Sequence, residues 1–183
     1  MTVGKAVRLK RIFRENGKTV ISALEFGGFM GPVQGLENPR RIVGQVVDAG
    51  ADAVIIHPGF ARETHDIYGG KAGLILRITG GCSRYSPDGS FHTMTSSVEE
   101  AVRMGADAVC AMVIIGAQRE HQMLENLGQI ILDAGKYGMP VVAELLPDYE
   151  HSYDPEWIGV CARLGFEMGA DVVKTYYCGP NYA

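Results

Sequence analysis

Five polar residues interrupt apolar runs in this chain of 183 residues: Glu25, His57, Arg77, Glu144 and Lys174. Lys174 closes the run Ala170-Asp-Val-Val-Lys-Thr-Tyr-Tyr177. An ammonium among apolar neighbours loses hydration, which lowers its pKa, and the neutral amine can attack a carbonyl carbon and form an imine. A protonated imine draws electrons from the neighbouring carbon, so a C–C bond there can break or form with no metal and no further cofactor. The same position also suits a plain lysine whose head reaches water at a strand end. Glu25 precedes the glycine-rich Gly27-Gly-Phe-Met-Gly-Pro32, where a carboxylate can carry protons or pair with Lys174 or Arg77. Arg77, in Leu74-Ile-Leu-Arg-Ile78, offers a fork that fits a phosphate or a carboxylate, and it can equally neutralise Glu25 or Glu144. His57, before Pro58-Gly59, is either an acid/base or a core imidazole. Glu144 is a further candidate substrate contact. Tyr176 shares the face of Lys174 if the strand continues, so its hydroxyl can orient an imine or a substrate, or simply pack.

Other titratable residues carry less signal. His121 falls in the first turn of a helix-like stretch, and His65, His92 and His151 read as loop residues. The polar segment from Cys82 to Thr95 is long enough to be a lid or an inert excursion. Cys82, Cys110, Cys161 and Cys178 have no metal-ligand spacing and read as free thiols, which points to a reducing cytoplasm.

To act together, these side chains need a scaffold that gathers strand ends. Gly50-Ala-Asp-Ala-Val, Gly105-Ala-Asp-Ala-Val and Gly169-Ala-Asp-Val-Val repeat one joint. Glycine ends a helix in the left-handed conformation, Asp bonds the turn backbone, and an apolar run opens a strand buried on both faces. Strands are expected at 19–27, 53–57, 74–78, 108–115, 141–146 and 172–176. Helices are expected at 39–49, at 97–104 behind a Ser96/Ser97 cap, at 120–137 and at 155–168, with a stub at most between the second and third strands. Alternating strands and helices give an α/β fold with a parallel sheet, either barrel or open. No G-x-G-x-x-G follows the first strand, which weakens a dinucleotide-binding reading. In both architectures chemistry sits at the C-terminal strand ends.

A net charge of −4 argues against a nucleic-acid or anionic-membrane surface, and no apolar run approaches a membrane span. The basic stretch Lys5 to Arg14 reads as a short amphipathic helix with a solvated charged face.

The run Ala23-Leu-Glu-Phe-Gly-Gly-Phe-Met-Gly-Pro-Val-Gln-Gly-Leu-Glu37 resembles the first-strand signature of the archaeal-type class I fructose-bisphosphate aldolases and their deoxyribose-phosphate aldolase relatives. Val172-Val-Lys-Thr-Tyr-Tyr177 resembles their Schiff-base strand, and Val113-Ile-Ile-Gly116, Glu120-His-Gln and Gly138-Met-Pro140 fall in the same order. Gly-Pro-x-x-Gly-Leu-Glu, Glu-His-Gln and Lys-Thr-Tyr-Tyr lean toward the family's thiolase-like branch, which acts on a phosphorylated pentanedione. The resemblance implies a parallel (β/α) TIM-type barrel with about six of eight strands in this chain, as one domain lacking the last two βα units. It also implies an imine on Lys174, proton transfer by Glu25 and a phosphorylated keto substrate. The second reactant is an aldehyde or coenzyme A, and the assembly is a homo-oligomeric ring such as a decamer. Two departures stand out. Glu25-Phe-Gly replaces the family's Asp-His-Gly, and Leu146 before Pro147 replaces a tyrosine acid/base. Both weigh against ordinary fructose-bisphosphate cleavage. A synthase condensing a sugar phosphate with an aldehyde, and an inactive barrel that binds a phosphorylated metabolite, remain as competing readings.

Overall fold

The three Gly-Ala-Asp joints set the N-terminal edge of the sheet. The computed structural model describes residues 1–179, and the closing 180–183 run lies outside the described residues. Gly50, Gly105 and Gly169 have φ of 88°, 73° and 89°, a region that favours glycine and turns each chain out of its helix. The aspartate that follows clamps the start of the preceding strand twice. Asp107 donates its N–H to the Leu74 carbonyl at 2.8 Å, and its Oδ2 accepts the Leu74 N–H at 3.1 Å. Asp52 makes the same pair of bonds with Val20, and Asp171 with Val141.

The strands behind these joints are β1 (Ile21–Ala23), β2 (Ala53–Ile56), β3 (Gly73–Arg77), β4 (Ala108–Ile115), β5 (Val141–Pro147) and β6 (Val172–Lys174). They pair in parallel, in sequence order from β1 to β6. An open doubly wound sheet reverses its order at a switch point. Strict succession without reversal is the topology of a (β/α) barrel, here a partial one of six strands. Helices α1 (Val3–Leu9), α2 (Gly27–Met30), α3 (Pro39–Asp48), α4 (Pro58–Tyr68), α5 (Val98–Arg103), α6 (Glu120–Tyr137) and α7 (Pro155–Glu167) complete the elements. Among the described residues, no helix is long and apolar enough to cross a membrane.

Most elements match expectation to within a residue or two, and the exceptions have local causes. The first strand stops at Ala23, because Phe26 accepts the Met30 N–H at 2.9 Å and the glycine pair winds into α2. The second connection is a three-turn helix, α4, rather than a stub. Pro58 starts it, and Ala61, Thr64 and Tyr68 bury one face. The sixth strand ends at Lys174.

The basic N-terminal stretch is helical only to Leu9, and its charges are paired rather than simply solvated. Lys5 reaches Asp171 at 2.7 Å, Arg11 reaches Asp107 at 2.8 Å and Arg14 reaches Asp52 at 2.7 Å. One segment thus touches all three joints. Its Ile12 is buried with Ala53, Ile55, Ile75, Ala108, Cys110 and Val142 on the inner side of the sheet, closing the barrel floor. The larger core lies between the strands and the outer helices.

The two kinds of contact at Asp107 differ in strength. Arg11 is mostly exposed, so its pair is worth at most about 1 kcal/mol, whereas an orphaned buried N–H at Leu74 costs about 1–3 kcal/mol. Urea unfolding should therefore show Asp107→Ala destabilised by about 1–3 kcal/mol and Arg11→Ala by less than about 1 kcal/mol. Equal losses would assign the clamp to the ion pair.

Candidate active site

Strand alternation carries the barrel floor upward into a polar layer. Ile55, Ile75, Cys110, Val142 and Val172 form or pack against the inner apolar cluster. Two residues further along the same strands, and so on the same face, stand His57, Arg77, Met112, Glu144 and Lys174. Glu25 enters from the end of β1, where the Leu24 N–H donates to the Ile55 carbonyl at 2.9 Å and holds the departing chain. All six residues singled out from the sequence, Glu25, His57, Arg77, Glu144, Lys174 and Tyr176, line one cavity of about 320 Å³ at the C-terminal strand ends.

Four of these side chains form a continuous line of alternating charge. Arg77 Nη2 donates to Glu25 Oε1 at 2.6 Å and also to Glu144 Oε2. Lys174 Nζ donates to the other oxygen, Glu144 Oε1. Arg77, Glu25 and Glu144 are almost fully buried, whereas the Lys174 side chain is 36% exposed and opens to the cavity. The register places Glu144 directly opposite Lys174 on β5 and β6, so the sheet itself sets that contact. Arg77, one of the two basic residues lining the cavity, is committed to carboxylates rather than presented to a phosphate.

Burial pushes the Glu144 carboxyl up, but the charges and hydrogen bonds of Arg77 and Lys174 outweigh it and hold its pKa below the usual carboxylate range. Burial also opposes the Arg77 charge. Cys110, Glu144 and Glu25 outweigh it, so the guanidinium stays protonated. At His57, burial first, then the Arg77 charge and His92, lowers the pKa to about 4, so the imidazole is neutral at neutral pH. The Cys110 thiol lies beneath Glu144, and burial pushes it up to about 12, which makes it a poor nucleophile. Burial raises the Tyr176 phenol, helped by Tyr153, whose ring centroid is 5.2 Å away.

The loop after β3, which the sequence leaves as either a lid or an inert excursion, supplies one wall of the cavity. Thr79–Gly80 and Thr93–Met94 pair as a short antiparallel ribbon and fold the intervening segment back toward the cavity. Gly89 and His92 thereby line it, and Asp88 anchors the loop to Arg119 at 3.0 Å. His92 is buried rather than loose. Length and polarity mark this stretch in the sequence, but without periodicity they do not show that His92 faces the cavity. His65 lies within α4 and His151 stacks on Trp157, both away from the cavity. His121 lies in the first turn of α6, as expected. On the far wall Gly28 has no room for a side chain, since a Cβ there would sit 2.4 Å from His57 Nε2. Glycine at this point lets α2 close over the imidazole.

The chain as a whole resembles known proteins. Residues 19–182 match the family description "DeoC/LacD family aldolase". The chain belongs to this aldolase family. It is 35% identical over 175 residues to 2-amino-3,7-dideoxy-D-threo-hept-6-ulosonate synthase 1 of Archaeoglobus fulgidus, covering 96% of this chain and 66% of that protein. It is 34% identical over 180 residues to the 3-hydroxy-5-phosphonooxypentane-2,4-dione thiolase of Yersinia pseudotuberculosis, covering 98% of this chain and 61% of that protein. The chain thus spans just under two thirds of the length of these curated relatives. Among solved structures, it superposes with a TM-score of 0.83 and 31% identity on an archaeal fructose-1,6-bisphosphate aldolase whose catalytic lysine carries the carbinolamine intermediate, covering 95% of this chain and 71% of that one. A synthase and a thiolase of the aldolase family therefore stand at nearly equal distance, and the barrel topology is that of an aldolase.

Two tests follow from the charges. Removing the shared cation leaves two buried carboxylates uncompensated, so Arg77→Met should lose about 3–5 kcal/mol in urea unfolding. The His57 pKa of about 4 lies below its ordinary 6.5, so between those values the unfolded chain binds a proton that the folded chain does not. Stability then falls as pH drops across that window, and Glu144 adds a further loss only as pH falls below 4.5 through its depressed pKa. Urea midpoints at pH 7 and pH 5 should therefore differ less in His57→Gln than in the native chain.

Proposed function

We propose that this chain carries the Schiff-base half of an aldolase-type active site. In this reading Lys174 forms an imine with a phosphorylated keto compound, and a C–C bond next to the imine carbon breaks or forms. The observation that carries it is the Lys174 amine, opening into a closed-floored cavity and facing a buried carboxylate–arginine–carboxylate line on an aldolase-family chain. The covalent lysine of the archaeal aldolase supports the same chemistry.

The keto group enters over the inner face, with its carbonyl carbon at Lys174 Nζ. Attack and loss of water give the imine, which serves as the electron sink, so no metal or organic cofactor is required. Glu25 carries protons to and from the reacting carbons and oxygens. Among the described residues its Oε2 has no partner, while Oε1 is held by Arg77. His57 is neutral and serves as a hydrogen-bond partner rather than an acid. Tyr176 lies past the end of β6 and lines the same cavity, and in this reading its phenol orients the imine or the substrate. Phe29, Ile114 and Leu146 exclude water around the reacting centre. The second reactant is an aldehyde or coenzyme A. The likeness to the ulosonate synthase favours a second version, in which a sugar phosphate condenses with an aldehyde. A cytoplasmic location and homo-oligomeric assembly accompany this reading.

Incubation with dihydroxyacetone phosphate and borohydride should add one reduced adduct, mapping to Lys174, in the native chain. Lys174→Met should give no adduct with its far-UV circular dichroism unchanged, and turnover should drop by at least roughly 10⁴-fold. An adduct elsewhere, or equal behaviour of Lys174→Met, would favour an inactive barrel that only binds a phosphorylated metabolite. A failure with this ketone alone directs the same test to the phosphorylated pentanedione.

A further inference from the structure

We infer that His92 determines specificity at this site: its Nδ1 accepts from a hydroxyl on the carbon next to the keto carbon, so the ketone taken here is a hydroxyketone. The inference rests on the imine reading above and narrows its substrate class. His92 is only 8% exposed and lines the cavity together with Arg77, Glu144 and Lys174. Among the described residues its Nδ1 has no hydrogen-bond partner. A buried polar atom left in this way is costly, and native chains keep few of them. The side chain is held in place from several directions. Gly80 and Thr93 pair across the ribbon, and the His92 N–H donates to Met123 Sδ at 3.4 Å. Arg119 lies 3.7 Å over the Phe91 ring and is ion-paired to Asp88.

The neighbours of the ring assign its tautomer. Cys82 has a single thiol proton, which it donates to the Gly89 carbonyl at 3.3 Å. The same sulfur lies 4.0 Å from His92 Nε2 and has only lone pairs left to offer, so the imidazole proton sits on Nε2. Nδ1 then carries a lone pair, and the group that satisfies it is a donor. Burial first, then the Arg77 charge, lowers the His92 pKa against the pull of Glu144, so that lone pair is available at neutral pH. Arg77 supplies the complement. Its Nη2 is taken by the two carboxylates, whereas its Nε and Nη1 have no partner among the described residues. One cavity thus offers a vacant acceptor on His92 and vacant donors on Arg77. A hydroxyl donates and accepts at once and answers both. A carbonyl oxygen would answer only Arg77, an ammonium only His92, and a methyl group neither. Glu144 bridges Arg77 and Lys174, so a ketone held at Lys174 Nζ brings its neighbouring carbons, and not its far end, to the Arg77 end of the line.

The experiment is a competition on the full chain between dihydroxyacetone phosphate and hydroxyacetone phosphate, the same ketone without its hydroxyl. Both are present at equal, subsaturating concentration with cyanoborohydride, and the two Lys174 adducts, which differ by one oxygen atom, are counted in one peptide mass spectrum. The ratio is normalised to that obtained with Nα-acetyl-lysine, which removes the intrinsic reactivity of the ketones. The native chain should prefer the hydroxylated ketone by about 10-fold or more, because the deoxy compound leaves the buried groups unpaired. His92→Phe, with native far-UV circular dichroism, should bring the ratio to within about 2-fold of parity. His92→Asn, whose amide oxygen falls near the place of Nδ1, should keep a clear preference. A native ratio at parity overturns the inference and leaves the imine reading standing. So does a preference that survives in His92→Phe, which would assign the hydroxyl to Arg77 and Glu25 alone, and so does a His92→Asn no more selective than His92→Phe. Should His92→Phe fail to fold, His92→Gln decides, because its amide reaches toward the place of Nε2 and leaves that of Nδ1 empty; a native ratio in that variant overturns the inference. Absence of a Lys174 adduct from either ketone in the native chain overturns it as well, and the phosphorylated pentanedione then tells whether the imine reading survives.

Discussion

The site depends on one guanidinium shared by two buried carboxylates. Arg77 is almost wholly removed from water, and so are Glu25 and Glu144. Burying any one of these charges alone costs several kcal/mol, and the arrangement is tolerable only because each has a partner at hydrogen-bond distance. With Lys174 added, the line carries two positive and two negative charges. That balance fixes geometry as well as energy. Both carboxylates accept from the same Arg77 nitrogen, Nη2, and the second oxygen of Glu144 meets Lys174 on β6. A line of this kind is a poor way to gain stability and a good way to hold a reactive amine against a base.

The chain separates stability from chemistry along the strand axis. At the N-terminal edge, three aspartates spend both kinds of bond on structure. They satisfy strand-start amides and meet the bases of one N-terminal segment. At the C-terminal edge, two carboxylates are spent on an arginine and a lysine that face a cavity. The apolar floor of Ile12, Ile55, Ile75 and Val142 insulates one end from the other. Because five of the six strands, β2 to β6, contribute a floor residue and then, two positions later, a cavity residue, a slip of one residue in any of them would exchange the cavity face for the helix face.

Much of this was legible in the sequence, and what was missed shares a cause. The Gly-Ala-Asp joints, the helix of α6 and the strand of β4 follow from local rules and stand where expected. The polar interruptions at 57, 77 and 174 fall at or next to the ends of apolar runs and could be read as strand ends, whereas Glu144 breaks an apolar run that continues through Leu145 and Leu146. Which residue pairs with which is non-local. Nothing near Lys5, Arg11 or Arg14 in sequence names Asp171, Asp107 or Asp52 as partners. Likewise His92 reaches the cavity only because a two-residue ribbon forms across a gap without periodicity. Lys174 was read as an amine among apolar neighbours, whereas its head lies on a carboxylate from the adjacent strand. The likeness to aldolases pointed to the lysine but said nothing of Glu144.

The two departures from the aldolase pattern are physically linked. Glutamate at position 25 is one methylene longer than the aspartate of the pattern the chain resembles, and its Oε1 lies 2.6 Å from Arg77. Arg77 in turn draws in Glu144. On β5 the positions 144 and 146 share a face by alternation, so the apolar Leu146 and the acidic Glu144 look into the same cavity, one at its rim and one at its floor. A tyrosine at the rim would act on groups of the substrate far from the amine. A carboxylate at the floor touches the nitrogen itself. Leu146 leaves an apolar wall where a hydroxylated substrate would need a donor.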